Sequence, residues 1–425
     1  MKVFKFGGAS VKDANAVINV SEILTLYAGQ QIIVVVSAMG KTTNKLEEIL
    51  HSIQVQDRTK FEREIDELRA YHHAIMHDLF KGNEFSIFQK IEEIIEGINE
   101  LYSNNNKSEK PGYLYDQIVS LGELLSSHIV NDYLVELGKK SSWLDARKMI
   151  RTDERHQEAN VDWEKSKELI QLEVNRTFIQ SDIVLTQGFI GHTADGSTTT
   201  LGREGSDYSA GIFAYCCDAE NVTIWKDVPG MLNADPKYFQ NTKKLEKISF
   251  KEAIELSYYG ASVIHPKTIK PLQNKNIPLF VKSFIEPLGA GTEIQSETKD
   301  DGLIASFIIK QEQVLFSITP KDFSFIDEQN LHGIFELLAK EQIKINLMQN
   351  SALSFSILVD AKKVSIPKLL SVLKNTFNVK YNDNLELVTI RHYNTETIES
   401  ICKDKIVIIE QKTRHTARLV LKTED

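Results

Sequence analysis

The sequence predicts a doubly wound α/β domain with a mostly parallel sheet over residues 1–295, followed by a smaller α+β region over residues 303–425. Three observations carry this. Runs such as QQIIVVVSAMG and SDIVLTQGFIG are apolar at successive positions, as strands covered by helices on both faces are. Helical patterns separate those runs, giving the alternation of a layered α/β fold. The stretch EPLGAGTEIQSETKDDG concentrates glycine, acid and small polar residues, and the segments after it follow another order.

The chain begins MKVFKFGGASVKDANAV, in which Val3, Phe4 and Phe6 read as a buried strand and Ser10 with Asp13 as a helix N-cap. Between them stand Gly7 and Gly8. A strand, a glycine turn and a helix start bring bare N–H groups and a positive dipole end to one point, which suits an anion such as phosphate. Lys5 adds a full charge; the alternative is a tight turn beside a solvated lysine. Asn44 with Glu47 marks another helix start, and residues 59–101 are helical and highly charged, closed by the polar SNNNKSEKPG. A helix containing LGELLSS follows, then the strand SDIVLTQGFIG and the glycine-rich loop TADGSTTTLGREGSDYSA, which leads into a helix. Loops at strand ends are where such sheets hold ligands. NVTIWKDVPGMLNADP is a strand followed by turns, and helix and strand alternate onward to about Ile285.

Beyond residue 303, VLFSITP, KINLMQ, SFSILVD, LELVTIRHY, KIVIIEQ and ARLVLK read as strands. NLHGIFELLAKEQ, IPKLLSVLKNTF and a short stretch from Glu396 to Cys402 read as helices. They form one β-α-β-β-α-β unit over about 310–380 and a shortened second over about 381–425.

At 425 residues, with 42% hydrophobic and 26% charged side chains, the chain has the composition of a soluble globular protein of two or three domains. A net charge of -9 argues against nucleic-acid binding, which draws its affinity from clustered Lys and Arg. Cys216, Cys217 and Cys402 lack the number and spacing of a disulfide framework and are expected to stay reduced. With no signal-peptide pattern and no run of 18 apolar residues, the expected place is the cytoplasm, away from the membrane.

Two familiar motifs fail on spacing. Gly40-Lys41-Thr42 lacks the glycine that a Walker A loop needs five residues earlier, where Val35 stands, and no GxGxxG follows the opening strand. His73 and His77, beside His72, have the spacing of a zinc helix, but Ala74 occupies the place of its glutamate. Glu123 shares a helical stripe with Val119, Ser126 and Val130, so its carboxylate needs a cation, either a substrate amine or a protein Lys or Arg. GREGSDYSA sets Arg203, Ser206 and Asp207 at a helix start. Arginine's planar fork suits a carboxylate, and Asp207 could orient a lysine or hold a metal; the plainer alternative is a capping aspartate beside an exposed arginine.

KFGGAS, SAMGKTTN, LGELLSS, TTTLGREGSDYSA, WKDVPGMLNADP and GASVIHP, in this order, resemble the aspartate kinases of the amino-acid kinase family, and the final portion resembles paired, ferredoxin-like ACT domains. The resemblance implies the amino-acid kinase fold and ATP-dependent phosphorylation of L-aspartate to 4-phospho-L-aspartate, with Mg²⁺ accompanying the nucleotide. That reaction opens the route to lysine, threonine, methionine and diaminopimelate. It further implies that Lys5 neutralises the transferred phosphoryl group while Gly7, Gly8 and Ser10 meet the phosphates of ATP. Ser37 and Thr43 would line the amino-acid pocket, Glu123 would bind the α-ammonium, and Arg203 the α-carboxylate, with Glu204, Gly205 and Ser206 beside it. Asp207 would organise the catalytic lysine. Lys226, Asp227, Leu232 and Lys237, with Ser262 and Val263, would face the nucleotide.

There are departures. Ala9 and Glu204 stand where the family often has threonine and glycine, and Ser262 where some members place a lysine. Leu232 and Lys237 replace a tyrosine and an arginine, while Lys226 brings a charge of its own. The loop KDFSFIDEQN lacks the glycine that often opens the effector site, leaving Asp327, Gln349 and Asn350 as candidates for an amino-acid effector pocket. A homodimer is expected through this region. Two alternatives stand beside the main reading: a kinase for another acidic amino acid such as glutamate, and a catalytically weak amino-acid sensor.

Overall fold

A computed structural model describes all residues except 82–84, 104–111, 262–263, 323 and 424–425. The chain divides into two units. The first holds residues 1–231, 244–258 and 262–301; the second holds 232–243, 259–261 and 302–425.

Strands β1 (Lys2–Phe6), β2 (Ile32–Val36), β3 (Ser141–Leu144), β4 (Ile183–Gln187), β5 (Ile190–His192), β6 (Thr198–Thr200), β7 (Asn221–Lys226), β8 (Lys247–Ser249), β9 (Leu279–Ser283) and β10 (Thr292–Gln295) belong to the first unit. Eight of them form one sheet in the order β3-β4-β2-β1-β7-β9-β10-β8, and β5 pairs with β6 separately. From β3 to β9 every pairing is parallel; only β9 and β10 run antiparallel. Burial explains the apolar runs. Phe4, Phe6, Val34, Val36 and Trp225 enter one core, where the Phe6 and Trp225 rings stack 5.9 Å apart. The alternate residues Val3, Ile33, Val35 and Ile224 are equally buried on the opposite face. A strand covered on both sides has no need of polar alternation.

Several local boundaries differ from the sequence expectations. Ser10 is not a helix cap: residues Gly8–Val11 form a 3₁₀ turn, and the helix Ala14–Thr25 is capped by Asp13, which accepts from Ala16 N at 2.8 Å. The next helix runs Thr42–Gln54, starting before Asn44. The charged region forms two helices, Arg58–Leu79 and Phe85–Ser103. His72 is buried there with Nδ1 2.8 Å from Leu68 O, and His73 pairs with Glu92 at 2.7 Å, so both have structural partners.

The second unit holds β11 (Ser306–Pro320), β12 (Ile345–Asn350), β13 (Phe355–Asp360), β14 (Phe377–Arg391), β15 (Lys405–Lys412) and β16 (Thr416–Thr423). They make one antiparallel sheet in the order β12-β13-β11-β14-β16-β15. Two strands of 15 residues, β11 and β14, run through its middle. Their far halves and β12–β13 pack on the helices Glu328–Lys340 and Ile366–Leu373 through Phe316, Ile334, Leu338 and Leu369. Their near halves, with β15 and β16, pack around Val388, Ile390 and Leu419 under the helix Thr395–Cys402. The second, shortened β-α unit therefore borrows the first half of β11 in place of a strand of its own.

Candidate active site

Strand alternation decides where Lys5 points. Phe4 and Phe6 face the large core, so Lys5 faces the other side with Val3. The helix Gly205–Cys216 begins with Gly205-Ser206-Asp207, and Lys5 Nζ lies 2.7 Å from Asp207 Oδ1. Lys226, the last residue of β7, brings Nζ to 3.7 Å from Asp207 Oδ2. Burial alone would raise the pKa of Asp207, but the ammonium groups of Lys5 and Lys226 outweigh it and hold the carboxyl below its ordinary range. The result is a buried carboxylate with a cation at each oxygen.

Close backbone approach shapes the rim above this cluster. After β1 the chain turns at Gly7-Gly8, and Gly40 N donates to Gly8 O at 3.0 Å. A Cβ on Gly8 would lie 2.8 Å from Ala38 O, so only glycine lets the two strand-end turns meet. At the end of β4, a Cβ on Gly188 would come within 2.5 Å of Ser206 Cβ. This glycine lets the helix carrying Ser206 and Asp207 seat directly on the strand end.

Glu123 enters from the helix Leu121–Glu136 and is 3% exposed. Its Oε1 accepts from Ala38 N at 3.2 Å, while its buried Oε2 has no hydrogen-bond partner. Burial pushes its pKa up to about 8, with the Ala38 amide and the charge of Lys5 acting the other way. Among the described residues no Lys or Arg pairs with it, so burial favours its neutral form and its ionised form is open to a cation from outside the protein.

A cavity of about 560 Å³ collects these groups. Lys5, Ser37, Thr43, Glu123, Arg203, Glu204, Gly205, Ser206, Asp207 and Lys226 all line it. Arg203 is exposed, and Glu204 holds a left-handed φ of 53° with a buried Oε2 that lacks a partner. Other expected residues lie elsewhere. Gly7 and Gly8 flank Lys5 without lining the cavity, and Ser10 is buried beneath the turn with its hydroxyl unpartnered. Asp227 is exposed after β7, Leu232 and Lys237 fall in a segment grouped with the second unit, and Ser262 and Val263 lie outside the described residues.

The lining also includes Tyr115, Gln157, Phe189 and Gly202, which sequence reasoning missed. Phe189 carries a signal in retrospect: it follows Gly188 in TQGFIG and adopts a φ of 70°, which bulky residues rarely accept. Tyr115 donates to Glu47 Oε1 at 3.1 Å, and burial with that carboxylate pushes its phenol well above the usual range. Nothing local in the sequence marks Gln157.

Several known proteins are similar to this chain. The profile of the amino acid kinase family matches residues 1–283. The lysine-sensitive aspartokinase 3 of Escherichia coli K12 is 34% identical over 84% of this chain and 78% of its own length. A crystal structure of E. coli aspartokinase III with aspartate and ADP aligns at a TM-score of 0.82 and 29% identity, covering 100% of this chain and 97% of that one. The same enzyme with lysine and aspartate aligns at 0.86 and 29%, covering 100% and 96%. The chain spans only 55% of the bifunctional aspartokinase/homoserine dehydrogenase of Buchnera aphidicola, to which it is 28% identical over its full length.

Proposed function

The chain belongs to the amino acid kinase family, among its aspartokinases, and on that footing we propose that the cavity at the sheet edge transfers the γ-phosphoryl group of ATP to the side-chain carboxylate of L-aspartate. One observation carries the reading: the Lys5–Asp207–Lys226 cluster shares a cavity with Arg203 and with a Glu123 carboxylate that has no protein cation.

The acceptor carboxylate is already a nucleophile, so no residue need act as a general base. The protein's work is alignment and charge stabilisation. Lys5 and Lys226 face the phosphoryl group, and Asp207 fixes both ammonium groups at the strand ends. Arg203 grips the α-carboxylate through two parallel hydrogen bonds, Glu123 takes the α-ammonium, and Ser37, Thr43 and Ser206 complete the wall. Attack forms the bond from the aspartate carboxylate oxygen to phosphorus, and the bond from phosphorus to the bridging oxygen of ADP breaks.

Mg²⁺ lowers the charge of the nucleotide's phosphates when bound. Among the described residues no group of three or more His, Cys, Asp or Glu forms a metal cage, and Asp207 is committed to two lysines. This donor set suits an ion that arrives on phosphate oxygens and keeps its waters.

The second unit is the place of a regulatory effector and of pairing with a second copy. The edge strand β15 exposes Ile406, Val407 and Ile408, an apolar edge suited to a dimer. The E. coli relative is named lysine-sensitive and has been crystallised with lysine. Lysine is therefore the effector to try first here. Gln349 and Asn350 lie exposed on β12, whereas Asp327 already caps a helix by accepting from Asn330 N at 2.8 Å. No described helix is long and apolar enough to cross a membrane.

Coupled ADP release with L-aspartate, L-glutamate or no amino acid tests the reaction. Aspartate-dependent release is expected; release that ignores aspartate, or that favours glutamate, would overturn the assignment.

A further inference from the structure

A single buried carboxylate ties together three parts of the cavity wall. Asp116 lies in the helix Tyr113–Val119 with no exposure at all. Its Oδ1 accepts from the Thr200 hydroxyl at 2.6 Å, and His156 Nδ1 donates to Oδ2 at 2.7 Å. The Gln157 backbone N–H donates to both oxygens, at 3.1 and 3.2 Å. These donors come from segments some 40 and 84 residues away along the chain.

Each partner adjoins the cavity. Gln157 lines it directly, and Tyr115, the neighbour of Asp116, lines it from the helix. Thr200 ends β6, and the chain from it runs through Leu201 into Gly202 and Arg203, which form the next wall. Burying a carboxylate is costly, so YLYDQIV would pack more favourably with an apolar residue at this place. The charge is tolerated because Thr200, His156 and the Gln157 amide satisfy it, and those directional bonds fix three strands of chain against one another. Lys5 and Lys226 are held separately, by Asp207.

We propose that Asp116 is a positioning residue for the acceptor half of the site: it sets the wall made by Tyr115, Gln157 and Gly202-Arg203, and so governs aspartate binding without touching the amino acid. The inference rests on the aspartate kinase reading above. It divides the site into an acceptor side held by Asp116 and a phosphate side held by Asp207.

The test compares Asp116→Asn, which turns an acceptor into a donor facing Thr200 and His156, with the gentler Thr200→Val, which removes one donor and keeps the shape. Two readouts are taken on each: KM for aspartate and for ATP, and amide hydrogen exchange across residues 154–160 and 198–207. The expected result is a rise in aspartate KM of about tenfold for Asp116→Asn and about threefold for Thr200→Val, with ATP KM within about twofold. Faster exchange should be confined to those two segments. If Asp116→Asn does not fold, Thr200→Val decides. Unchanged KM values with unchanged exchange would overturn the proposal, as would an equal rise in both KM values. Failure of the kinase reading is seen separately, as a wild-type chain that does not turn over aspartate; the exchange data then still decide whether Asp116 holds the wall.

Discussion

Lys5 Nζ and Asp207 Oδ1 meet at 2.7 Å, each side chain about nine-tenths or more buried, at the carboxyl edge of a parallel sheet. Lys226 approaches the other oxygen of the same carboxylate. Asp207 thus holds two ammonium groups at fixed places facing the cavity, where a phosphoryl group in transfer would gather negative charge. A donor held in place before the reaction contributes far more than one that must be recruited from solvent.

Replacing Lys5 by Ala removes one such donor. The expected loss in kcat is about 10² to 10³, or roughly 3 to 4 kcal/mol, with the folded state retained because Lys226 still pairs with Asp207. Steady-state kinetics at saturating substrates measures it; an unchanged kcat removes Lys5 from the chemistry.

Arg203→Lys keeps the charge and loses the fork. Aspartate KM should rise by about tenfold or more while ATP KM holds, since a point charge cannot make two parallel bonds to one carboxylate. Weaker ATP binding with normal aspartate binding would mean the two ligands exchange places.

Glu123 makes a pH prediction whose sign follows from its environment. Its folded pKa, about 8, stands above the unfolded value, because burial disfavours the charged form. Between roughly pH 4.5 and 8 the folded state binds the extra proton, so stability falls as pH rises through that window. Glu123→Gln abolishes this loss and should be more stable than wild type at pH 8.5, by an amount on the order of 2–5 kcal/mol. An ammonium ligand favours the ionised carboxylate, so wild-type aspartate KM should fall from pH 6.5 to about pH 8 and then level off. The Gln variant should show a higher KM without that trend. A wild-type KM that is flat over this range contradicts the role.

Glu204 stands at a left-handed φ of 53° with a buried, unpartnered carboxylate oxygen beside Arg203. Glu204→Gly relieves about 1 kcal/mol of backbone strain and a desolvation cost of about 1–3 kcal/mol, against up to about 1 kcal/mol of added chain entropy. The variant should melt at a higher temperature, and aspartate KM should drop about threefold as the negative charge beside the clamp disappears. A lower melting temperature would show that the glutamate makes contacts that hold the rim.

Much of this arrangement could be read from the sequence because short spacings encode it. Arg203, Ser206 and Asp207 are fixed by one helix start, and Lys5 by strand alternation. What escaped depends on contacts between distant segments. Asp116 shows only as a charge inside an apolar helix, and its partners His156 and Thr200 bear no local mark. In the second unit, VLFSITP and LELVTIRHY look in the sequence like separate short strands. Each is half of a 15-residue strand interrupted by a bulge, with left-handed residues at Glu312 and Asn384. The charged KQEQ and the polar NDN at those kinks look like loops, although the pairing continues past them. The cap at Asp13 displaced Ser10 for a related reason: a 3₁₀ turn intervenes before the helix, and turn and cap draw on the same residue types.

The most direct test is chemical trapping of the product. An acyl phosphate reacts with hydroxylamine to give a hydroxamate, so the chain with ATP, Mg²⁺, L-aspartate and hydroxylamine should yield aspartyl β-hydroxamate in step with ADP, and Lys5→Ala should yield almost none. ADP formed without hydroxamate, or hydroxamate formed from glutamate in preference to aspartate, would contradict the account.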